Sequence, residues 1–283
     1  MTLCLSVLAS VVAVAAAVRS TWSPCGLSML STITPLSEGG RGHSYRSTAA
    51  WFILGSTMGG VTVGAVMALG AGGVDGLHPA PATLGGLAVA AALVAAASDS
   101  GIVGVRLPVH RRQVNERWLD HYRPWVYGAG FGWQIGNGVS TYITTGAVYL
   151  MIVLAALTTV PMVALVVGTA FGLVRGLAVL MTRHLGDPNA LRSFHRRFTA
   201  AGPRVDRGVI AVEVAVAAVA AVAAVAAGSA RSLLVPAVAV GPVAVGLVVV
   251  ASARRVAGRP RRATGSAGAV DTPLARPVPT AAD

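Results

Sequence analysis

Seven apolar runs, at roughly 3–35, 48–73, 83–105, 125–157, 160–181, 207–227 and 232–252, divide the 283 residues of this chain. Each reaches or exceeds the ~20 residues that cross a ~30 Å hydrocarbon layer at ~1.5 Å per residue. Backbone inside hydrocarbon must satisfy its own hydrogen bonds, so runs of this kind cross as helices. The expectation is an all-α integral membrane protein with seven transmembrane helices. With 54% apolar and 11% charged residues, the chain lies far from the balance of a soluble domain.

The arginines then set an orientation. The chain has no lysine, and its arginines fall almost wholly in alternate loops. Arg41 and Arg46 follow the first run, and Arg106, Arg111, Arg112, Arg117 and Arg123 follow the third. Arg175 and Arg183 are read as ending the fifth, before Arg192, Arg196, Arg197, Arg204 and Arg207, and six more lie in the tail from Arg254 onward. Only Arg19 and Arg231 break the alternation. Positive loops stay cytoplasmic, which predicts an N-terminus outside and a C-terminus inside, as for a bacterial inner-membrane protein. The formal charge of +12 is explained by insertion and by anionic lipid headgroups, so the bilayer, and not nucleic acid, is the expected partner. A cleaved signal peptide is the alternative reading of the first run, with AVAAAV as its cleavage zone, although Met1-Thr2-Leu3 supplies no basic n-region.

A shift of 112 places Gly26, Ser28, Thr32, Gly60 and Gly64 on Gly138, Ser140, Thr144, Gly172 and Gly176. Runs one to three begin outside and runs four to six inside, so the two triplets, about 1–105 and 125–227, read as inverted copies, with 232–252 as an added helix. Such repeats place broken helices around a midplane site. The first member of each triplet reads as broken. Pro24 removes an amide donor beside Ser20, Thr21 and Ser23, and Pro35 ends the run. FGWQIGNGVSTYITTG (131–146) mixes four glycines with Gln134, Asn137, Ser140, Thr141, Thr144 and Thr145. That polar density is unsuited to a lipid-facing helix and predicts a cavity lining. For GSTMGGVTVG and GTAFGLVRG, close small-residue packing is the preferred reading.

Ser23-Pro24-Cys25 with its hydroxyl-rich turn, the glycine-rich 55–64 stretch and GFGWQIGNG together resemble the CcdA and DsbD membrane-domain family of cytochrome c biogenesis and thiol-disulfide interchange, within the LysE-like carriers. The likeness covers about residues 15–227. It implies a Pro-Cys in each triplet and transfer of reductant from a thioredoxin-like partner. This chain departs from the pattern, with Asn137 where the second cysteine would stand and Ser28 where a second proline is typical. A relay needs two thiols able to meet at a Cα separation of ~4.4–6.8 Å. Cys4 lies ~31 Å from Cys25 along a continuous helix. Cys25 is therefore read as a redox thiol acting with a partner's cysteine, or as a small buried packing residue.

Arg19, Asp99 and Glu213 fall inside the first, third and sixth runs. Charges at depth cost ~2.5–3.5 kcal/mol at a helix centre unless paired or hydrated, so these side chains are expected to face inward. Asp99 and Glu213 are placed about seven residues from their cytoplasmic ends, as a proton or cation relay or as structural partners of Arg19. His43, His110, His121, His184 and His195 read as solvated loop residues and His78 as an outside one. No spacing suggests a metal site or another cofactor. The segments 110–125 and 189–198 read as short headgroup-level helices, and 253–283 as a disordered basic cytoplasmic tail.

No nucleotide loop or catalytic triad is visible, so enzymatic activity is expected only if Cys25 is redox active. The expected site comprises Ser23, Pro24, Cys25, Ser28, Thr32, Gln134, Asn137, Ser140, Thr141 and Thr144. The function expected of it is a carrier moving a small solute, ion or thiol-linked species. The alternatives are reductant transfer through Cys25, supporting cytochrome c maturation, and a non-transporting assembly protein.

Overall fold

The computed structural model describes residues 1–101, 107, 121–140 and 143–228. The expected seventh span, the tail, Thr141, Arg231 and most of the 110–125 segment lie outside the described residues. Nine α-helices are described: α1 Thr2–Ser20, α2 Pro24–Thr32, α3 Pro35–Gly40, α4 Tyr45–Gly76, α5 Pro81–Ser100, α6 Pro124–Asn137, α7 Gly146–Leu157, α8 Pro161–Leu177 and α9 Pro188–Gly228. A 3-10 turn, Ala178–Thr182, continues α8.

Six of these helices open on proline. The first helical position has no amide partner to lose, and the fixed φ of proline already suits a helix. Pro35 therefore starts α3 instead of simply ending the first run. Gly138, at φ 71°, closes α6 in the left-handed conformation that a side chain resists.

Five helices are long and apolar enough to cross a membrane: α1, α4, α5, α8 with its 3-10 turn, and α9. In α1, Leu5, Leu8, Ala9, Val12, Ala13, Ala16 and Ala17 are buried, while Leu3, Val7, Val11, Val14 and Val18 face outward. A helix apolar on both faces belongs in a lipid solvent. The chain is a multi-pass membrane protein. The expected run 125–157 is instead two short helices, α6 and α7, each below the length of a crossing. The expected 189–198 surface helix is not separate. It is the first part of α9, which runs unbroken for 41 residues through Pro203.

Glycines set how close the helices come. Along α4 and α8, contacts pair Ile53 and Ser56 with Gly176, Gly60 with Gly172, and Gly64 with Leu165, so the two helices run antiparallel. Along α4 and α6, Thr48 meets Gly128, Phe52 meets Gly132 and Ser56 meets Gly136, which makes that pair parallel. Gly132 and Gly136 admit the α4 backbone at Phe52 and Ser56. The small-residue reading of GSTMGGVTVG and GTAFGLVRG agrees with these contacts.

Arginine-bearing ends gather together. Leu36 N donates to Leu185 O (3.3 Å), Tyr45 Oη to Val179 O (2.9 Å) and Trp22 Nε1 to Phe198 O (2.8 Å). At the opposite end, Met1 lies beside Gly85 and Ala224, and Gly72 beside Pro161. One apolar cluster fills the space among α1, α5, α7, α8 and the later part of α9. A second, smaller one joins α2, the start of α4, α6 and Phe198.

Candidate functional site

The break in the first run is narrow. The Ser23 hydroxyl accepts from Gly26 N (3.2 Å), an N-cap that starts α2 just after α1 has stopped at Ser20. Pro24 is exposed, whereas Cys25 is 3% exposed among Met29, Leu30, Phe131 and Ile135. Thr32 Oγ1 donates to Ser28 O (2.9 Å), so that hydroxyl serves its own helix. No disulfide joins Cys4 to Cys25.

The second break is wider, from Gly138 to Thr145. Ser140 Oγ donates back to Gln134 O (3.2 Å), and Asn137 Oδ1 accepts from Val139 N (3.4 Å). Both are local turns that compensate the carbonyls and amides left where α6 ends. Thr145 then caps α7 through Ala147 N (3.2 Å).

A guanidinium ties the two breaks together. Arg175 is 3% exposed, and its Nη1 donates to Ile135 O (2.6 Å) while Nη2 reaches Ser20 O (3.5 Å). Those carbonyls lie in the last turns of α6 and α1, where helix dipoles concentrate negative charge. Its carbon stands 5.6 Å from the Phe171 ring centre. Arg175 is therefore an internal strut and not the flanking arginine that the sequence suggested. The available signal was its position three residues beyond Gly172, on the small-residue face of α8.

Asp99 plays the opposite part. It lies in the last turn of α5, nearer the helix end than expected. Its Oδ1 accepts from Gly146 N (2.6 Å) and its Oδ2 from the Thr145 hydroxyl. A carboxylate on the first amide of α7 meets the positive end of that helix.

Asp99 also borders a cavity of about 220 Å³, shared with Arg19, Thr144, Thr145, Tyr149 and Asp206. Arg19 Nε pairs there with Asp206 Oδ1 at 2.5 Å, so its ion-pair partner is neither Asp99 nor Glu213, as the sequence had suggested. Asp206, on the continued α9, was missed because 207 was taken as the start of the span. Thr144 Oγ1 is buried and without a hydrogen-bond partner among the described residues, as are both carboxyl oxygens of the fully buried Glu213. Two carboxylates thus stand against one guanidinium in the cavity wall, a formal excess of one negative charge.

A further buried network went unread because Glu38 sits in PLSEGG, which has no periodicity. Glu38 is fully buried and accepts from Tyr127 Oη (2.6 Å), Thr48 Oγ1 (2.6 Å) and Arg41 Nη1 (3.1 Å). His43 Nδ1 lies 3.4 Å from the same Tyr127 hydroxyl, and His195 Nε2 lies 3.2 Å from Ser31 Oγ. These two histidines are engaged, not solvated. Among the described residues no group of histidine, cysteine and carboxylate side chains could hold a metal ion.

The chain is similar to proteins named methylamine utilization protein MauF. It is 33% identical to that of Paracoccus versutus over 148 residues, 51% of this chain and 53% of the relative. To that of Paracoccus denitrificans it is 31% identical over 151 residues, 52% and 53% of the two chains. To that of Methylophilus methylotrophus it is 27% identical over 203 residues, 70% of each. The match thus spans about half the length of the first two relatives. No family model and no solved structure matches. These likenesses overturn the kinship with CcdA, DsbD and the LysE-like carriers. With it go the carrier role, reductant transfer through Cys25, and the assembly alternative. A shared Pro-Cys break in a glycine-rich membrane helix is too generic to carry a family, because packing alone selects for it.

Proposed function

We propose that this chain serves methylamine utilization as a multi-pass membrane protein of the MauF kind, working through the cavity between Arg19, Asp99, Thr144 and Asp206. The observation that carries this reading is a single name borne by five relatives at 27–33% identity, in one case across 70% of both chains. The excess negative charge of the cavity suits the protonated form of methylamine, which makes it the first place to test.

The inverted-repeat reading is retained within this proposal. It is supported by Gly60 and Gly172, which the 112-residue shift equates and which touch each other, and by the contact of Ser56 with Gly172, which the same shift turns into that of Gly168 with Gly60. A bacterial inner membrane, with the arginine-rich end cytoplasmic, follows from the positive-inside rule. Single cysteines at Leu77 and His184, in a chain with Cys4 and Cys25 replaced by alanine, would then label from opposite sides of the membrane. Labelling of both from one side refutes the orientation.

Complementation tests the function. A Paracoccus denitrificans strain deleted for its own MauF gene, given this chain, regains growth on methylamine, and Asp206→Asn in the same chain weakens that growth. A chain that inserts at normal abundance yet restores no growth refutes the proposal.

A further inference from the structure

A second cavity, about 460 Å³, opens at the arginine-rich end between the start of α4 and the 3-10 turn after α8. Its rim carries Arg46, Arg183 and His184, all exposed, and its floor is built from Ala49, Ile53 and Leu180. Among the described residues neither arginine meets a carboxylate. Arg183 Nε donates to His184 Nε2 (2.8 Å), and Arg46 has no ion pair. Two cations without counter-ions at the mouth of an apolar recess call for an amphiphile with an anionic head.

The depth of this recess is marked independently. Trp51, little more than one turn beyond Arg46, and Trp125, at the start of α6, are 40% and 52% exposed with ring centres 6.2 Å apart. Outward-facing tryptophans of this kind settle at the boundary between headgroups and acyl chains. Arg46 then stands at headgroup level, with the apolar floor reaching inward from it. Basic pockets between membrane helices hold acidic headgroups in this way, each arginine near the surface weighing about equally.

We propose that this recess is a binding site for one anionic phospholipid, its phosphate held between Arg46 and Arg183 and an acyl chain laid along Ala49, Ile53 and Leu180. The site is separate from the Asp99 cavity and does not depend on a role in methylamine utilization.

The test uses the full chain in detergent, titrated with phosphatidylglycerol while bound lipid is followed by native mass spectrometry and the apparent Tm by thermal scan. Wild type retains one phosphatidylglycerol and gains Tm, and phosphatidylcholine does neither. The double variant Arg46→Gln/Arg183→Gln, altered only at exposed side chains, binds about thirtyfold more weakly. The charge-matched Arg204→Gln/Arg207→Gln variant, changed at exposed positions of α9, binds as wild type does. Equal retention of phosphatidylcholine, equal binding by the Arg46/Arg183 variant, or equal loss in the α9 control overturns the proposal. So does inorganic phosphate that raises the Tm as much as the lipid, since the apolar floor would then contribute nothing.

Discussion

Gly60 and Gly172 meet backbone to backbone where α4 crosses α8: a Cβ on Gly172 would lie 2.6 Å from Gly60 Cα, and one on Gly60 would lie 2.8 Å from Gly172 Cα. Real side chains do not approach so closely, so any larger residue at either position pushes the helices apart. Ser56 Oγ, which donates to Gly172 O at 2.6 Å, would lose its acceptor in the same movement.

Gly172→Ala is expected to destabilise the protein by about 1–3 kcal/mol, the usual penalty for overpacking a close contact. Gly73→Ala, where nothing lies within 4 Å of the added methyl, is expected to be neutral or stabilising by up to ~1 kcal/mol, from helix propensity. Thermal unfolding in detergent, with both variants side by side, decides it. Equal Tm values would mean that the crossing is looser than described.

Arg175→Met removes the group that joins Ser20 O to Ile135 O. Charged hydrogen bonds contribute ~1.5–3 kcal/mol each, and the 3.5 Å one is the weaker, so a loss of about 2–4 kcal/mol is expected. Methionine fills part of the volume, so the deficit measures the strut and not a cavity. Protease sensitivity near residues 21–23 and 138–140 should rise first, since these directly follow the two carbonyls that it holds.

What the sequence revealed of this fold was governed by the hydrocarbon layer. Length and apolarity located α1, α4, α5, α8 and the later part of α9, because a bilayer tests both over ~20 residues at once. The breaks at Pro24 and after Asn137 were visible for a related reason: prolines and clustered amides are expensive in lipid. Partners were a different matter. Arg175, Asp206 and Glu38 each carry a charge whose meaning depends on what another helix brings, and neither Ile135 O nor the Thr48 hydroxyl announces itself in the order of residues. Asp206 was also hidden by the assumption that a span starts where its charges stop, whereas α9 carries its helix straight through Pro203. The expected site divided for the same reason. Thr144 opens onto the charged cavity, while Thr32, Asn137 and Ser140 turn to nearby backbone.

Asp99→Ala should cost about 1–2 kcal/mol, the usual value of an N-terminal cap, because Gly146 N and the Thr145 hydroxyl lose their acceptor. Asp99→Asn keeps an acceptor and should retain most of the stability while lowering growth on methylamine as far as alanine does. Growth that follows stability across the pair, with asparagine near wild type, would confine Asp99 to capping α7.

Glu213→Leu should fold at least as well as wild type, gaining about 1–3 kcal/mol, because leucine leaves no buried polar atom without a partner. Unfolding in detergent gives the sign. A destabilised leucine variant would mean that the carboxyl is engaged by residues outside those described.

Cys25→Ala should still support growth on methylamine, at a cost of roughly 1 kcal/mol for the small apolar volume removed from between Met29 and Ile135. Complementation with the Cys4→Ala/Cys25→Ala chain gives the plainest reading. Loss of growth at unchanged membrane abundance would restore a chemical role to the thiol.

The 41 residues of α9 extend about 60 Å at ~1.5 Å each, twice the hydrocarbon depth. Its length thus exceeds one crossing, and its leading half forms a handle clamped to the first helix break by Trp22, whose ring lies flat on Phe198 at 4.2 Å. Two turns beyond Phe198 the same rod presents Asp206 to Arg19. A protein that grasped the handle and tilted it would be working a lever whose short arm ends in the charged cavity.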